Sequence, residues 1–127
     1  MLLIYNEMNH QDSWTKDKHA EFLKKCEQYI GELKKENKLI AAQPLIREGK
    51  IIFGSKKEFR ETSLDNNNNT NNTIQVGYYH IFATDINEAS LIARRNPEFE
   101  FSDTAKVEVR QIKTKEKETG FEYPNSA

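Results

Sequence analysis

The stretch Ile74-Gln75-Val76-Gly77-Tyr78-Tyr79-His80-Ile81-Phe82-Ala83-Thr84 decides the fold. β-Branched and aromatic side chains dominate it, the mark of a central strand. Side chains alternate along a strand, so Tyr78, His80 and Phe82 are predicted on one face and Tyr79, Ile81 and Ala83 on the other. The aliphatic set suits a helix-covered core. Directly afterwards Asp85 and Glu88 have the spacing of a capping box, and Ile86, Ala89, Ile92 and Ala93 form the apolar stripe of a short helix. Arg94 and Arg95 favour the negative end of its dipole, and Pro97 stops it.

Upstream, Met1-Leu2-Leu3-Ile4-Tyr5 reads as a first strand and residues 6–13 as a polar turn, with Ser13 or Thr15 able to cap a helix start. A long helix is predicted to about Asn37. Phe22, Leu23, Cys26, Tyr29, Ile30 and Leu33 share one stripe, while Lys24, Lys25, Glu27, Glu32, Lys34 and Lys35 fill the outer face. Asn37 suits a left-handed helix terminus. Leu39-Ile40-Ala41-Ala42 reads as the next strand, stopped near Pro44 and extended by Ile51-Ile52-Phe53 beyond a turn at Glu48-Gly49. From Lys56 to Thr73 the periodicity fails, and the asparagine-rich run Asp65–Asn72 reads as a loop insertion at about residues 63–73.

Downstream, Ala105, Val107 and Val109 alternate with Lys106, Glu108 and Arg110 as a final half-buried strand. The order strand, helix, strand, strand, helix, strand predicts an α+β domain over residues 1–112 of ferredoxin-like βαββαβ topology, a four-stranded antiparallel sheet with two helices on one face. Residues 113–127 form a charged tail whose Phe121 and Tyr123 suggest docking onto a groove. The uncovered sheet face, with Tyr78 and Phe82, predicts a homodimer across it, burying on the order of 1,600 Å².

The composition narrows the classes. The 127 residues are 36% hydrophobic and 31% charged, with a formal charge of -1, which leaves no field to concentrate nucleic acid. No apolar run approaches the ~18 residues of a membrane span, and no leader is expected. The single Cys26 excludes an internal disulfide and fits a reducing, cytoplasmic setting. No Cys/His cluster has metal-ligand spacing, so neither metal nor cofactor is expected.

Leu2-Leu3-Ile4-Tyr5, then Gly77-Tyr78-Tyr79-His80-Ile81 followed by Asp85-Ile86-Asn87-Glu88-Ala89, and Val107-Glu108-Val109-Arg110 resemble the YCII-related family, including its DGPF-motif branch. The resemblance runs through Ile112 and implies the ferredoxin-like fold, paired through its sheets into a dimeric α/β barrel, with a largely undefined biochemical role. The branch signature would fall at Lys56-Lys57-Glu58-Phe59, where only Phe59, Glu61 and Thr62 agree. Family members pair a histidine of the first helix with an aspartate of an Asp-Pro-Phe motif. Here Lys18-His19-Ala20-Glu21 resembles the first element, but the second reads Asn96-Pro97-Glu98-Phe99, where an amide replaces the carboxylate.

If Val107 and Val109 face the helices, then Tyr78, His80, Glu108 and Arg110 share the open face, joined by Phe82. Enclosed by a second sheet, these five would bind a small polar or aromatic ligand. The alternative is an enzyme, a lyase, isomerase or hydrolase, in which His80 or His19 works with Glu108 as an acid/base pair. Against both stands a plain reading: Glu108 and Arg110 as an ordinary ion pair, His80 as a packed interface residue and His19 as a solvated histidine. His10 lies in a polar loop with no discernible partner, Cys26 reads as a small core residue, and Trp14 as a hydrophobic staple on the first helix.

Overall fold

A computed structural model of the chain describes residues 1–64 and 73–124. Along the chain run β1 (Leu2–Glu7), α1 (Lys16–Lys35), β2 (Leu39–Pro44), β3 (Lys50–Ser55), β4 (Glu58–Ser63), β5 (Thr73–Ile81), α2 (Ile86–Arg94), the single turn α3 (Glu98–Phe101) and β6 (Lys106–Val109). Strands β2, β5, β1 and β6 form one antiparallel sheet in that order, so the aromatic stretch is indeed an interior strand. The predicted asparagine loop lies outside the described residues.

Local chemistry sets the helix ends. Thr15 Oγ1 accepts the Lys18 N–H at 3.1 Å, satisfying one free donor of the first turn of α1. At the other end Asn37 takes φ 58°, and the Lys38 N–H reaches the Leu33 carbonyl at 2.8 Å, the left-handed termination that an asparagine tolerates. Asp85 caps α2 through the Glu88 N–H at 2.8 Å, while the Glu88 carboxylate reaches back to Thr84 rather than to Asp85 itself.

Both helices lie over one face of the sheet. Leu2, Ile4, Ile74, Val76 and Ile81 from the strands pack with Tyr29 and Leu33 of α1 and Ile92 and Ala93 of α2 in one buried cluster. The Tyr29 ring stands edge-on to Tyr79 at 5.3 Å, and its hydroxyl donates to the Ile92 carbonyl at 2.8 Å, which links the two helices and the central strand. The predicted faces of Tyr79 and Ile81 hold. The upstream half of β5 departs from strict alternation, because Ile4 pairs with Gly77 and Tyr5 with Gln75, leaving Val76 as an extra residue in a bulge. Ile74, Val76, Tyr79 and Ile81 therefore all serve the core cluster from one strand.

Two expectations are corrected. Ile51-Ile52-Phe53 does not extend β2; it belongs to β3, which pairs only with β4 in a separate two-stranded sheet. The span from Lys56, read as patternless, contains β4. Its sequence Glu58-Phe59-Arg60-Glu61-Thr62-Ser63 lacks apolar alternation because most of the hairpin is solvent-exposed, so no core imposes a period on it. In the tail Phe121 and Tyr123 pack edge-to-face on each other at 5.0 Å, beside a bridge between Lys115 and Glu122, and both are exposed on the single chain.

Candidate functional site

The stripe of α1 is seated along only part of its length. Tyr29 and Leu33 are buried, whereas Leu23 is exposed and Phe22, Cys26 and Ile30 are half-buried. Those four residues look across a cavity of about 660 Å³ toward Ile4, Ala42, Pro44, Val76 and Tyr79 of the sheet. The cleft is thus a gap in the helix–sheet core, of the size and apolar character of small-molecule sites.

Its far end is polar and tightly built. Glu98, at the start of α3, is 4% exposed and lies on the cavity wall. His10 Nε2 approaches Glu98 Oε1 to 3.0 Å, with the two side chains 2% and 6% exposed. The ring is out of line for a true hydrogen bond, so the contact is one of close electrostatic proximity. Nδ1 of the same ring lies 3.0 Å from the Glu7 carbonyl and 3.4 Å from Arg47 Nη2. Asn6, fully buried at the end of β1, donates to Glu98 Oε1 at 3.4 Å, and its Oδ1 accepts from Thr104 Oγ1 at 2.6 Å. Arg47 also lines the cavity, donating to the Met8 and Leu45 carbonyls at 3.3 and 3.2 Å. Its burial lowers its pKa, against the opposing pull of the Glu98 and Asp12 charges.

The 6–15 segment brings His10 to this place by successive tight turns, with the His10 N–H on the Glu7 carbonyl and the Trp14 N–H on that of Gln11. Trp14 then packs edge-on against Phe22 at 5.2 Å, in the second turn of α1 and not the first turn that a staple would meet, and it reaches Phe101 at 5.9 Å as well. Sequence reasoning missed His10: the ring it judged partnerless is the most deeply packed histidine of the molecule, and its partner lies far along the chain. The one available signal was Asn96-Pro97-Glu98-Phe99, where the carboxylate stands two residues after the amide.

No protein-family model matches this chain, and no curated protein does.

Of the sequence-predicted candidates only His19 borders this cleft; the others lie elsewhere. Tyr78 and Glu108 both stand opposite Leu3, on its two flanking strands, and so share the sheet face away from the helices. His80 lies on that face beside Ala41, and burial, with the N-terminal ammonium nearby, lowers its pKa. Glu108 meets Arg110 at 3.8 Å, the plain ion pair, and the His80 ring makes no hydrogen bond among the described residues. A second cavity of about 580 Å³ at the end of the sheet takes in His80, Phe82 and Arg110, but neither Tyr78 nor Glu108. His19 is exposed at the mouth of the first cavity, with its ring 6.2 Å from Trp14. Cys26 faces the same cleft. Burial and the Glu98 charge push its thiol up to about 11, which removes it as a nucleophile at neutral pH. Among the described residues no three His, Cys, Asp or Glu side chains could hold a metal, and no helix is long and apolar enough to cross a membrane.

Proposed function

We propose that this protein binds a small molecule with a mainly apolar body in the cleft between α1 and the sheet, its polar end toward Glu98 and Asn96. The observation that carries the reading is the presence of two buried polar side chains, Glu98 and Asn96, on the wall of a mainly apolar 660 Å³ cavity. Asn96 Nδ2 is buried without a hydrogen-bond partner, and a buried donor is costly unless something polar meets it. Native mass spectrometry of freshly purified protein tests the reading directly. Retained small-molecule mass that is lost when Cys26→Trp fills the cleft is the expected result; mass retained equally by that variant would place the ligand elsewhere.

An enzymatic reading stands second, and the His10–Glu98 pair favours it. A histidine against a carboxylate at the edge of a ligand cavity has the parts of an acid/base pair for a lyase, isomerase or hydrolase. In this reading the carboxylate comes from Glu98 rather than position 96, and the histidine from the segment before α1 rather than from His19.

The strand order β2-β5-β1-β6 supports a ferredoxin-like assignment, with the β3–β4 hairpin inserted between the second and third strands of the pattern. Leu3, Tyr5, Tyr78 and His80 are only half-buried on the face away from the helices, which supports its coverage by a second copy, as the YCII-related resemblance implies. A polar or aromatic ligand held by Tyr78, His80, Phe82, Glu108 and Arg110 would then occupy the space between two sheets.

A further inference from the structure

We infer that the cleft takes a carbonyl compound with an apolar body, and that Glu98 and Asn96 together shift a proton on the carbon beside that carbonyl. The inference rests on the proposed binding of a small molecule in the cleft. Asn96 is 5% exposed and lines the cavity. Its Oδ1 accepts the Glu98 N–H at 2.9 Å, which fixes which amide atom faces which way and leaves Nδ2 as a buried donor with no hydrogen bond. The Tyr29 hydroxyl is close enough for the amide to counter some of the rise in its pKa, but the approach falls short of hydrogen-bond geometry and the hydroxyl proton goes to Ile92. A ligand oxygen is what such a donor lacks.

Glu98 supplies the complementary group. Both of its neighbours, His10 Nε2 and Asn6 Nδ2, address Oε1, while Oε2 makes no hydrogen bond among the described residues. One oxygen is anchored and the other is left for chemistry at the cavity wall, the arrangement a general base needs. Oε2 takes a proton from the carbon next to the carbonyl. The C–H electron pair becomes the new C=C bond, the carbonyl π pair moves onto oxygen, and the enolate oxygen is held by Asn96 Nδ2. The Glu98 carboxyl then returns the proton to the same carbon or to a conjugated one. Nothing is oxidised and no group leaves. His10 is a positioning residue, holding the carboxylate through Oε1.

Benzylacetone and butylbenzene, which share a carbon skeleton and differ in the carbonyl, are suitable probes. Calorimetric titration of both into wild type and Asn96→Asp, which keeps the acceptor for the Glu98 N–H and removes the donor, reads the carbonyl contact. The ketone-to-hydrocarbon affinity ratio should fall about tenfold, the worth of one buried hydrogen bond. Asn96→Ala gives the same reading should the aspartate fail to fold. Proton NMR in deuterium oxide should show wild type exchanging the protons beside the carbonyl about a hundredfold faster than Glu98→Gln. An affinity ratio indifferent to both Asn96 variants overturns the carbonyl assignment, and equal exchange by wild type and Glu98→Gln overturns the proton shift. If neither probe binds, the cleft reading itself falls, together with this inference.

Discussion

His10 and Glu98 meet at 3.0 Å in the interior, one from the loop before α1 and the other from the turn after α2. The contact ties the loop before α1 to the start of α3 at one end of the sheet, beside the packing of Trp14 on Phe101. It also closes the polar end of the cleft, since Asn6, Arg47 and Thr104 converge on the same few ångströms.

Truncating one member of this pair should cost far more than its surface counterparts. Glu98→Ala removes the carboxylate between His10 and Asn6 and should lower unfolding free energy by about 3 kcal/mol, whereas Glu98→Gln keeps the shape and should cost less. Urea denaturation followed by tryptophan fluorescence reads both, since Trp14 lies 5.8 Å from the His10 ring. Equal and negligible losses would mean that the pair contributes nothing to the fold.

Cys26 should be a slow thiol. Its pKa is raised from 9.0 to about 11, so the thiolate fraction near pH 8 is about a hundredfold below that of an unperturbed cysteine. Iodoacetamide alkylation should be slow by that factor and climb about tenfold per pH unit until it levels near pH 11. Because the sulfur faces the cleft, butylbenzene should slow it further. Alkylation at the rate of a free thiol would contradict the burial.

The Lys38–Glu88 pair, at 2.7 Å and 30% exposure on each side, should give a small acid-dependent contribution. The hydrogen bond from Lys38 is the main reason that the Glu88 pKa is lowered. A lowered carboxylate pKa stabilises the fold above the unfolded value and loses that effect as pH falls through the folded one. Lys38→Met should therefore be less stable than wild type at pH 7, and the two should converge in acid. A gap that persists once Glu88 is protonated would assign the effect to packing of the lysine stem.

Assembly is open to a single measurement. If a second copy covers the Leu3, Tyr5 and Tyr78 face, sedimentation at micromolar concentration should give about twice 14.8 kDa, and Tyr78→Glu should return the mass to that of one folded chain. A wild-type monomer would remove the dimeric reading and leave the helix-side cleft untouched, because α1 and not a second copy forms the wall opposite the sheet.

Legibility in the sequence tracked whether a residue answers to a nearby partner or a distant one. The α1 stripe, the Asn37 terminus and the division of Tyr78 and His80 from Tyr79 and Ile81 follow from periods of a few residues, and each is present. The bulge at Val76 was not legible, since a bulge is a relation between two strands and β1 supplies half of it. Nor was β4, whose residues are paired but cover no core. His10 and Glu98 sit in polar stretches that look like solvated loop, and only the folded chain makes each the other's neighbour. The five candidates on the open face were assigned by alternation, whereas the cleft on the opposite side results from a helix stripe left partly without a counterpart, a deficit that no pattern of residues announces.

The bulge explains where that deficit comes from. Val76 and Gly77 both stand against Ile4, so one of the positions aimed toward α1 is occupied by a residue with nothing beyond its backbone. A methyl group there would press on the Gln43 carbonyl at 3.0 Å, so the neighbouring strand discourages any larger replacement. The hollow is like a missing tooth, kept vacant by main-chain geometry and not merely by a choice of small side chains. Substitutions along α1 can reshape its outer wall and so retune what fits inside, while its floor is set by the backbone of β5 and β2 where they meet at Gly77.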